Sequence, residues 1–235
     1  MNQILEEISN IGVVPVVAID HKYDAAPLAD ALTKGGLPCA EVTFRTPAAE
    51  ESIRIMADQF PDMLLGAGTV LTTEQADRAI AAGAKFIVSP GFNPKVVSHC
   101  IEKNIPITPG ISNPSDMEQA IEMGLDAVKF FPAVPSGGLS MIKALAAPYH
   151  TMRFMPTGGV TPQNLTEFLD YPKILACGGT WMVKPELLAT GNFEEITRLT
   201  RQTVRTMLDL KIDELTLPFP PVSYTHLTLP TNSRV

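Results

Sequence analysis

The chain contains no run of Lys and Arg residues, and its 235 residues carry a formal charge of −7. A surface built to neutralise nucleic-acid phosphates needs clustered cations, so nucleic acid is not an expected partner. A small anionic substrate remains open, because it needs only a local positive site. Cysteine is scarce as well. Cys39, Cys100 and Cys177 lie far apart and form no Cys-x-x-Cys pair, which argues against a disulfide framework and a zinc site. His21, His99, His150 and His226 are equally dispersed, so no metal centre is expected and no metal ligand is assigned. No apolar run approaches the ~20 residues that span a bilayer, and no membrane partner is expected. The opening segment MNQILEEISNIG is acidic and amphipathic, unlike a secretory signal. These absences together predict a reduced, cytoplasmic setting.

What is present is a regular alternation of short strand-like runs with helix-like segments. The runs read VVPVVAI (13–19), CAEVTF (39–44), MLLGAGT (63–69), KFIVSP (85–90), IPITP (105–109), AVKFF (127–131), RFMPTG (153–158) and KILACGG (173–179). Amphipathic spacing between them predicts helices over Asp24–Lys34, Pro47–Phe60, Thr73–Ala82, Pro94–Lys103, Pro114–Met123 and Leu139–Ala146. Ser112-Asn113-Pro114-Ser115-Asp116 and Thr161-Pro162-Gln163-Asn164 are the residue types that open helices. Gly35, Gly83 and Gly124 stand where helices should stop. Such alternation means parallel βαβ units. Eight units close a (β/α)8 TIM barrel, whereas five or six would make an open doubly wound sheet. The expected architecture is therefore an α/β barrel over residues 1–211, with a helix at Gln3–Ser9 plugging one end and a last helix at Phe193–Leu210. Residues 212–235 are rich in Pro and Thr and show neither period, so a disordered tail is expected there. Its stretch VSYTHLTLPTN resembles a translated adapter remnant rather than part of a natural enzyme.

Side chains of a barrel strand alternate between the lumen and the helix layer, and function sits on the inward face near the strand's C-terminal end. In Cys39–Arg45 one face holds Ala40, Val42 and Phe44, and the other Glu41, Thr43 and Arg45. In Ala127–Phe131, Lys129 and Phe131 share the face opposite Val128 and Phe130. A carboxylate, a guanidinium and an amine are thus aimed into one lumen, where separate burial would cost several kcal/mol each. Lys129 reads either as a lysine reaching to solvent from a strand end or as a nucleophile. An apolar surround disfavours an ammonium, and the neutral amine is what attacks a carbonyl. Glu41 reads as a proton shuttle or as a structural partner of Arg45. Arg45 fits a bidentate clamp for a carboxylate, or a rim ion pair with Glu41.

Gly66-Ala67-Gly68-Thr69 ends the third run, where small residues let backbone amides approach an anion beside the Thr69 hydroxyl. Pro156-Thr157-Gly158-Gly159-Val160 and Cys177-Gly178-Gly179-Thr180 end the seventh and eighth runs, the place where many barrels hold phosphate.

With EVTFRT (41–46), GAGTVL (66–71), SPGFNP (89–94), KFFPA (129–133), PTGGV (156–160) and GGTW (178–181) in order, the chain resembles the 2-keto-3-deoxy-6-phosphogluconate (KDPG) / 4-hydroxy-2-oxoglutarate (KHG) aldolase family, from about Ile4 to Leu210. The resemblance implies a class I aldolase, a carbon-carbon lyase that works through a Schiff base. It makes Lys129 the Schiff-base lysine and Glu41 the residue that moves protons through water. It implies that Arg45 and Thr69 hold the pyruvate carboxylate, and that Pro90 and Phe131 wall the pocket. Thr157, Gly158 and Gly159 match the loop near the phosphate, and Gly179 and Thr180 the phosphate-binding turn. Many members carry serine where this chain has Thr180, which keeps the hydroxyl and adds a methyl group. The family further implies a homotrimer and no metal or organic cofactor, acting on a phosphorylated 2-keto acid.

Two rival readings use the same residues. A phosphosugar isomerase or epimerase on a TIM barrel would need PTGGV and CGGT equally, yet it gives a lumenal lysine beside an aromatic no task. A non-catalytic barrel that binds phosphorylated metabolites would not need Lys129, Glu41 and Arg45 together.

Overall fold

The apolar runs need partners for their backbone groups, and parallel pairing supplies them. The computed structural model describes residues 2–208. Its strands are β1 (Val13–Val17), β2 (Cys39–Thr43), β3 (Leu64–Gly68), β4 (Phe86–Val88), β5 (Ile107–Thr108), β6 (Gly110–Ile111), β7 (Ala127–Phe130), β8 (Arg153–Pro156) and β9 (Cys177–Gly179). Each of the eight expected runs is represented. The fifth gives β5 and ends at Pro109, which has no amide hydrogen to give to a ladder, and β6 begins just beyond it. Six strands form one parallel sheet in the order β5-β4-β3-β2-β1-β9, and β6-β7-β8 form a second. Two isolated parallel bridges, Phe154↔Ile174 and Thr157↔Gly178, link the β8 side to the β9 side. The result is a curled parallel α/β fold.

Helices lie between the strands: α1 (Gln3–Ile11), α2 (Ala25–Gly35), α3 (Ala49–Gln59), α4 (Thr73–Ala81), α5 (Pro94–Glu102), α6 (Pro114–Glu122), α7 (Gly138–Ala146), α8 (Leu165–Leu169), α9 (Pro185–Ala189) and α10 (Phe193–Met207). Asn113 accepts from the Asp116 amide, with Pro114 opening α6, as the sequence predicts. The Thr161-Pro162-Gln163-Asn164 signal acts differently. Asn164 Oδ1 accepts from the Thr161 amide and closes a turn, so α8 starts only at Leu165. Gly35 is the last residue of α2, and Gly36 takes the left-handed cap. A Cβ on Gly35 would stand 2.4 Å from Thr200 Cβ, so that glycine serves helix packing. The five-residue helix α9 is too short to show a period in sequence. The last helix ends at Met207, capped by Leu208. Positions 209–210 of the expected helix and the expected tail at 212–235 lie outside the described residues.

Two apolar layers separate cleanly. Ala40, Val42, Ala67, Ile87, Val128 and Phe130 join the layer between strands and helices. Val14, Cys39, Leu64, Phe86, Val88, Ala127 and Met155, one residue out of phase, form an inner cluster with Leu5 and Ile8 of α1. The N-terminal helix therefore packs on this inner face of the curled sheet, and Ile8 is fully buried there, a burial that contributes about 2 kcal/mol. Arg153 adds a tie to α1 by donating to Ser9 Oγ at 3.0 Å. Gly66 faces the same interior, where a Cβ would meet the Phe86 ring at 2.2 Å. The inner cluster fills the lumen from below and leaves the opposite end to polar groups. Among the described residues, no helix is long and apolar enough to cross a membrane.

Candidate active site

The strand phase that sends Cys39 inward sends Glu41 and Thr43 inward too. Glu41 is 1% exposed and Lys129 5% exposed. Their strands are not neighbours in a sheet, yet Lys129 Nζ donates to Glu41 Oε1 across 3.2 Å. In a water-poor interior a pair of opposite charges holds both groups in one geometry, and removing either partner leaves the other stranded. Lys129 Nζ also stands 5.4 Å from the centre of the Phe131 ring. Burial and then the neighbouring Glu41 push the Cys39 thiol up to about 12.

Above this pair opens a cavity of about 410 Å³. Lys129, Arg45, Thr69, Pro90, Phe131, Thr157, Gly158, Gly159, Gly179 and Thr180 all line it. Every site residue expected from sequence is therefore brought to one place, with Glu41 beneath the floor as the partner of Lys129. Arg45 is exposed at the mouth. It donates from Nε to Thr69 Oγ1 at 3.2 Å; among the described residues the rim pair Arg45–Glu41 does not form, and the Glu41 carboxylate meets Lys129 instead. Thr69 adopts φ 56°, a left-handed conformation uncommon and strained for a β-branched residue. That backbone turns its hydroxyl to Arg45. A Cβ on Gly66 would meet the Phe86 ring and one on Gly68 the Glu41 carboxylate, so packing also requires both glycines.

The cavity wall beside Thr157 is made by the Gly158 and Gly159 turn, where both glycines have positive φ. The turn's carbonyls also accept from the segment after β7: the Ala133 amide donates to Thr157 O and the Val134 amide to Gly158 O. Among the described residues, Glu41 Oε2 and Thr157 Oγ1 are buried with no hydrogen-bond partner, and such groups cost about 1–3 kcal/mol unless something satisfies them. Thr157 lines the cavity, whereas Glu41 lies beneath its floor. Sequence reasoning did not assign Thr43, Val16, Val17, Ala18, Val160, Gly178, Val183 and Pro185, which also line the cavity. Thr43 was on the inward face by period; its hydroxyl bonds Val17 O at 3.1 Å. Thr108 is a further buried hydroxyl without a hydrogen-bond partner among the described residues, on the face of its Val88 partner in the β4–β5 ladder. The remaining lining residues are small or apolar, and composition alone carries no signal for them.

A family profile described as KDPG and KHG aldolase matches residues 4–199. The chain belongs to this family. It is 51% identical over 205 residues to the 2-dehydro-3-deoxy-phosphogluconate aldolase of Treponema pallidum, covering 87% of this chain and 98% of that protein. Among solved structures, the KDPG aldolase of Legionella pneumophila, with pyruvate captured at low pH as a covalent carbinolamine intermediate, superposes with a TM-score of 0.83. That pair shares 37% identity and covers 86% of this chain and 98% of the other. The Zymomonas mobilis ZM4 KDPG aldolase with 3-phosphoglycerate gives a TM-score of 0.79 at 39% identity, covering 85% and 94% of the two chains.

Proposed function

We propose that this family member is a class I aldolase that cleaves KDPG to pyruvate and glyceraldehyde 3-phosphate. By the same pyruvyl half it cleaves 4-hydroxy-2-oxoglutarate to pyruvate and glyoxylate. The observation that carries the reading is the buried contact of Lys129 Nζ with Glu41 Oε1 at 3.2 Å, on the floor of a cavity lined by Arg45, Thr69, Phe131 and the Gly158–Gly159 turn. The relatives named above support the substrate class.

In the cycle that follows, Lys129 Nζ passes its extra proton to Glu41 and the neutral amine attacks the C2 ketone; Glu41 then returns that proton to the C2 hydroxyl, which leaves as water and gives an iminium. Glu41, through water, takes the C4 hydroxyl proton as the C3–C4 bond breaks. The bond's electron pair passes into the iminium, which becomes an enamine, and the aldehyde departs. The iminium is itself the electron sink for this step, so the residues named suffice as written. Protonation of the enamine carbon and hydrolysis return the amine and release pyruvate. Arg45 and Thr69 hold the carboxylate, Pro90 and Phe131 wall the pyruvyl carbons, and Thr157, Gly158, Gly159, Gly179 and Thr180 receive the distal phosphate.

The experiment is reduction with borohydride in the presence of pyruvate, followed by peptide mass spectrometry. The expected result is a single adduct on Lys129. An isomerase or a simple binder gives none, and its absence overturns the reading.

The same proposal takes residues 1–211 as one domain in which the two sheets are a single closed eight-strand TIM barrel, with β5 and β6 one strand broken at Pro109. The bridges from β8 toward β9 and the Lys129 amide bonded to Pro109 O support closure on both flanks. It also takes the active form as a cytoplasmic homotrimer. Sedimentation at a mass other than three chains removes that part alone.

A further inference from the structure

We infer that Trp181 is a positioning residue that fixes the Gly179–Thr180 turn from helix α10, and so sets the preference for a phosphorylated over a non-phosphorylated substrate. The inference rests on the aldolase reading above for the identity of the distal anion. Trp181 is not among the residues lining the cavity, whereas Gly178, Gly179, Thr180 and Val183 are. Its action is therefore through its neighbours.

The indole lies against the α-carbon of Gly179. A Cβ there would stand 2.0 Å from Trp181 Cζ3, 2.4 Å from Cη2 and 2.6 Å from Cε3. On its other flank Gly179 is tied into the sheet, registered with Pro15 of β1. The turn is thus held between a ladder and a ring. The ring is itself held, since Nε1 donates to Thr203 Oγ1 at 2.8 Å. Thr203 is buried, and its hydroxyl bonds Leu199 O one turn back, which directs a lone pair at the indole. Helix α10 offers a firm mount. Thr200 packs so closely on Gly35 of α2 that no methyl group fits between them. Beyond Thr180, its carbonyl accepts from the Val183 amide and closes the turn.

Amides and a hydroxyl that recognise a dianion must be fixed before it arrives, because any ordering on binding subtracts from affinity. A substrate whose distal end is a carboxylate on a shorter chain makes less use of this turn. Loosening it should then appear in the phosphorylated substrate alone.

The test compares Trp181→Phe, which keeps a ring and loses the N–H, with Thr203→Val, which keeps shape and loses the acceptor. Both should raise KM for KDPG about three- to tenfold, as expected for one lost neutral hydrogen bond. In each, kcat on KDPG and both constants on 4-hydroxy-2-oxoglutarate should change by less than about twofold. Thr203→Ser retains the hydroxyl and should restore the wild-type KM. Because the chain has one tryptophan, inorganic phosphate should also change its fluorescence saturably, with an affinity weakened by the same factor in Thr203→Val. Equal KM changes on both substrates, or unaltered KDPG kinetics in Thr203→Val, overturn the inference. Failure of the aldolase reading shows differently, as no pyruvate adduct on wild-type Lys129. The phosphate titration then still decides the role of Trp181.

Discussion

Glu41 occupies its place because Gly68 has no side chain: a Cβ on Gly68 would lie 2.1 Å from Glu41 Oε1 and 2.7 Å from its carboxyl carbon. The carboxylate therefore fills a groove between β2 and β3 and emerges toward Lys129. Gly68→Ala should drive it off Lys129, cost about 1–3 kcal/mol through overpacking, and lower kcat at least about tenfold. Thermal denaturation and steady-state kinetics check both halves. Wild-type values of both would show that the carboxylate has other room.

Replacing Lys129 with Met removes the nucleophile and strands Glu41 without its partner. Activity should fall by about a thousandfold or more, with no borohydride-trapped adduct. Retained turnover in Lys129→Met would rule out covalent catalysis at this position.

Glu41→Gln keeps the shape and removes the proton acceptor. The pyruvate adduct on Lys129 should still form, while turnover falls about 10²- to 10⁴-fold, the usual scale of general acid–base catalysis. Exchange of the pyruvate methyl protons with deuterated water, followed by NMR, should slow in parallel. Unchanged exchange would assign the proton transfer to another group.

Thr180→Ala removes a hydroxyl from the turn proposed to hold phosphate. The kcat/KM for KDPG should drop about fivefold or more, and that for 4-hydroxy-2-oxoglutarate should drop much less. Equal losses on the two substrates would take Thr180 out of phosphate recognition.

The three thiols give a pH prediction with a definite sign. Burial pushes Cys39, Cys100 and Cys177 up to about 12, from 9.0. A group whose pKa is raised by folding binds its proton more tightly in the native state. Its stabilisation is complete below its unfolded value and disappears as pH rises through the folded one. Stability from these thiols should be level up to about pH 9 and decline between pH 9 and 12. Urea midpoints across that range measure it. At pH 8 the native protein should react with a thiol reagent only as fast as it unfolds. Fast labelling of the folded state would contradict the buried placement.

The period of two along a strand is a local property, and it placed the key groups without any structure. Glu41 and Lys129 could be assigned to an inward face because Ala40, Val42, Val128 and Phe130 had to face the helices. The N-terminal helix was equally visible, in the amphipathic segment MNQILEEISNIG. The outcome was less visible wherever distant segments compete for one partner. Arg45 lies four residues from Glu41 and Lys129 lies 88 away, yet Lys129 takes the carboxylate.

What the residues alone determined is the order of the parallel units, the face on which each charged group lies and the family. Each of these follows from local stereochemistry or from motif order. Only the folded chain decided which charges meet, that Gly66 and Gly68 make room for Phe86 and Glu41, and that Trp181 reaches Thr203 on the last helix. Those outcomes depend on volume and distance across a shared interior. Such quantities exist only once the curled sheet brings residues remote in sequence within a few ångströms of each other.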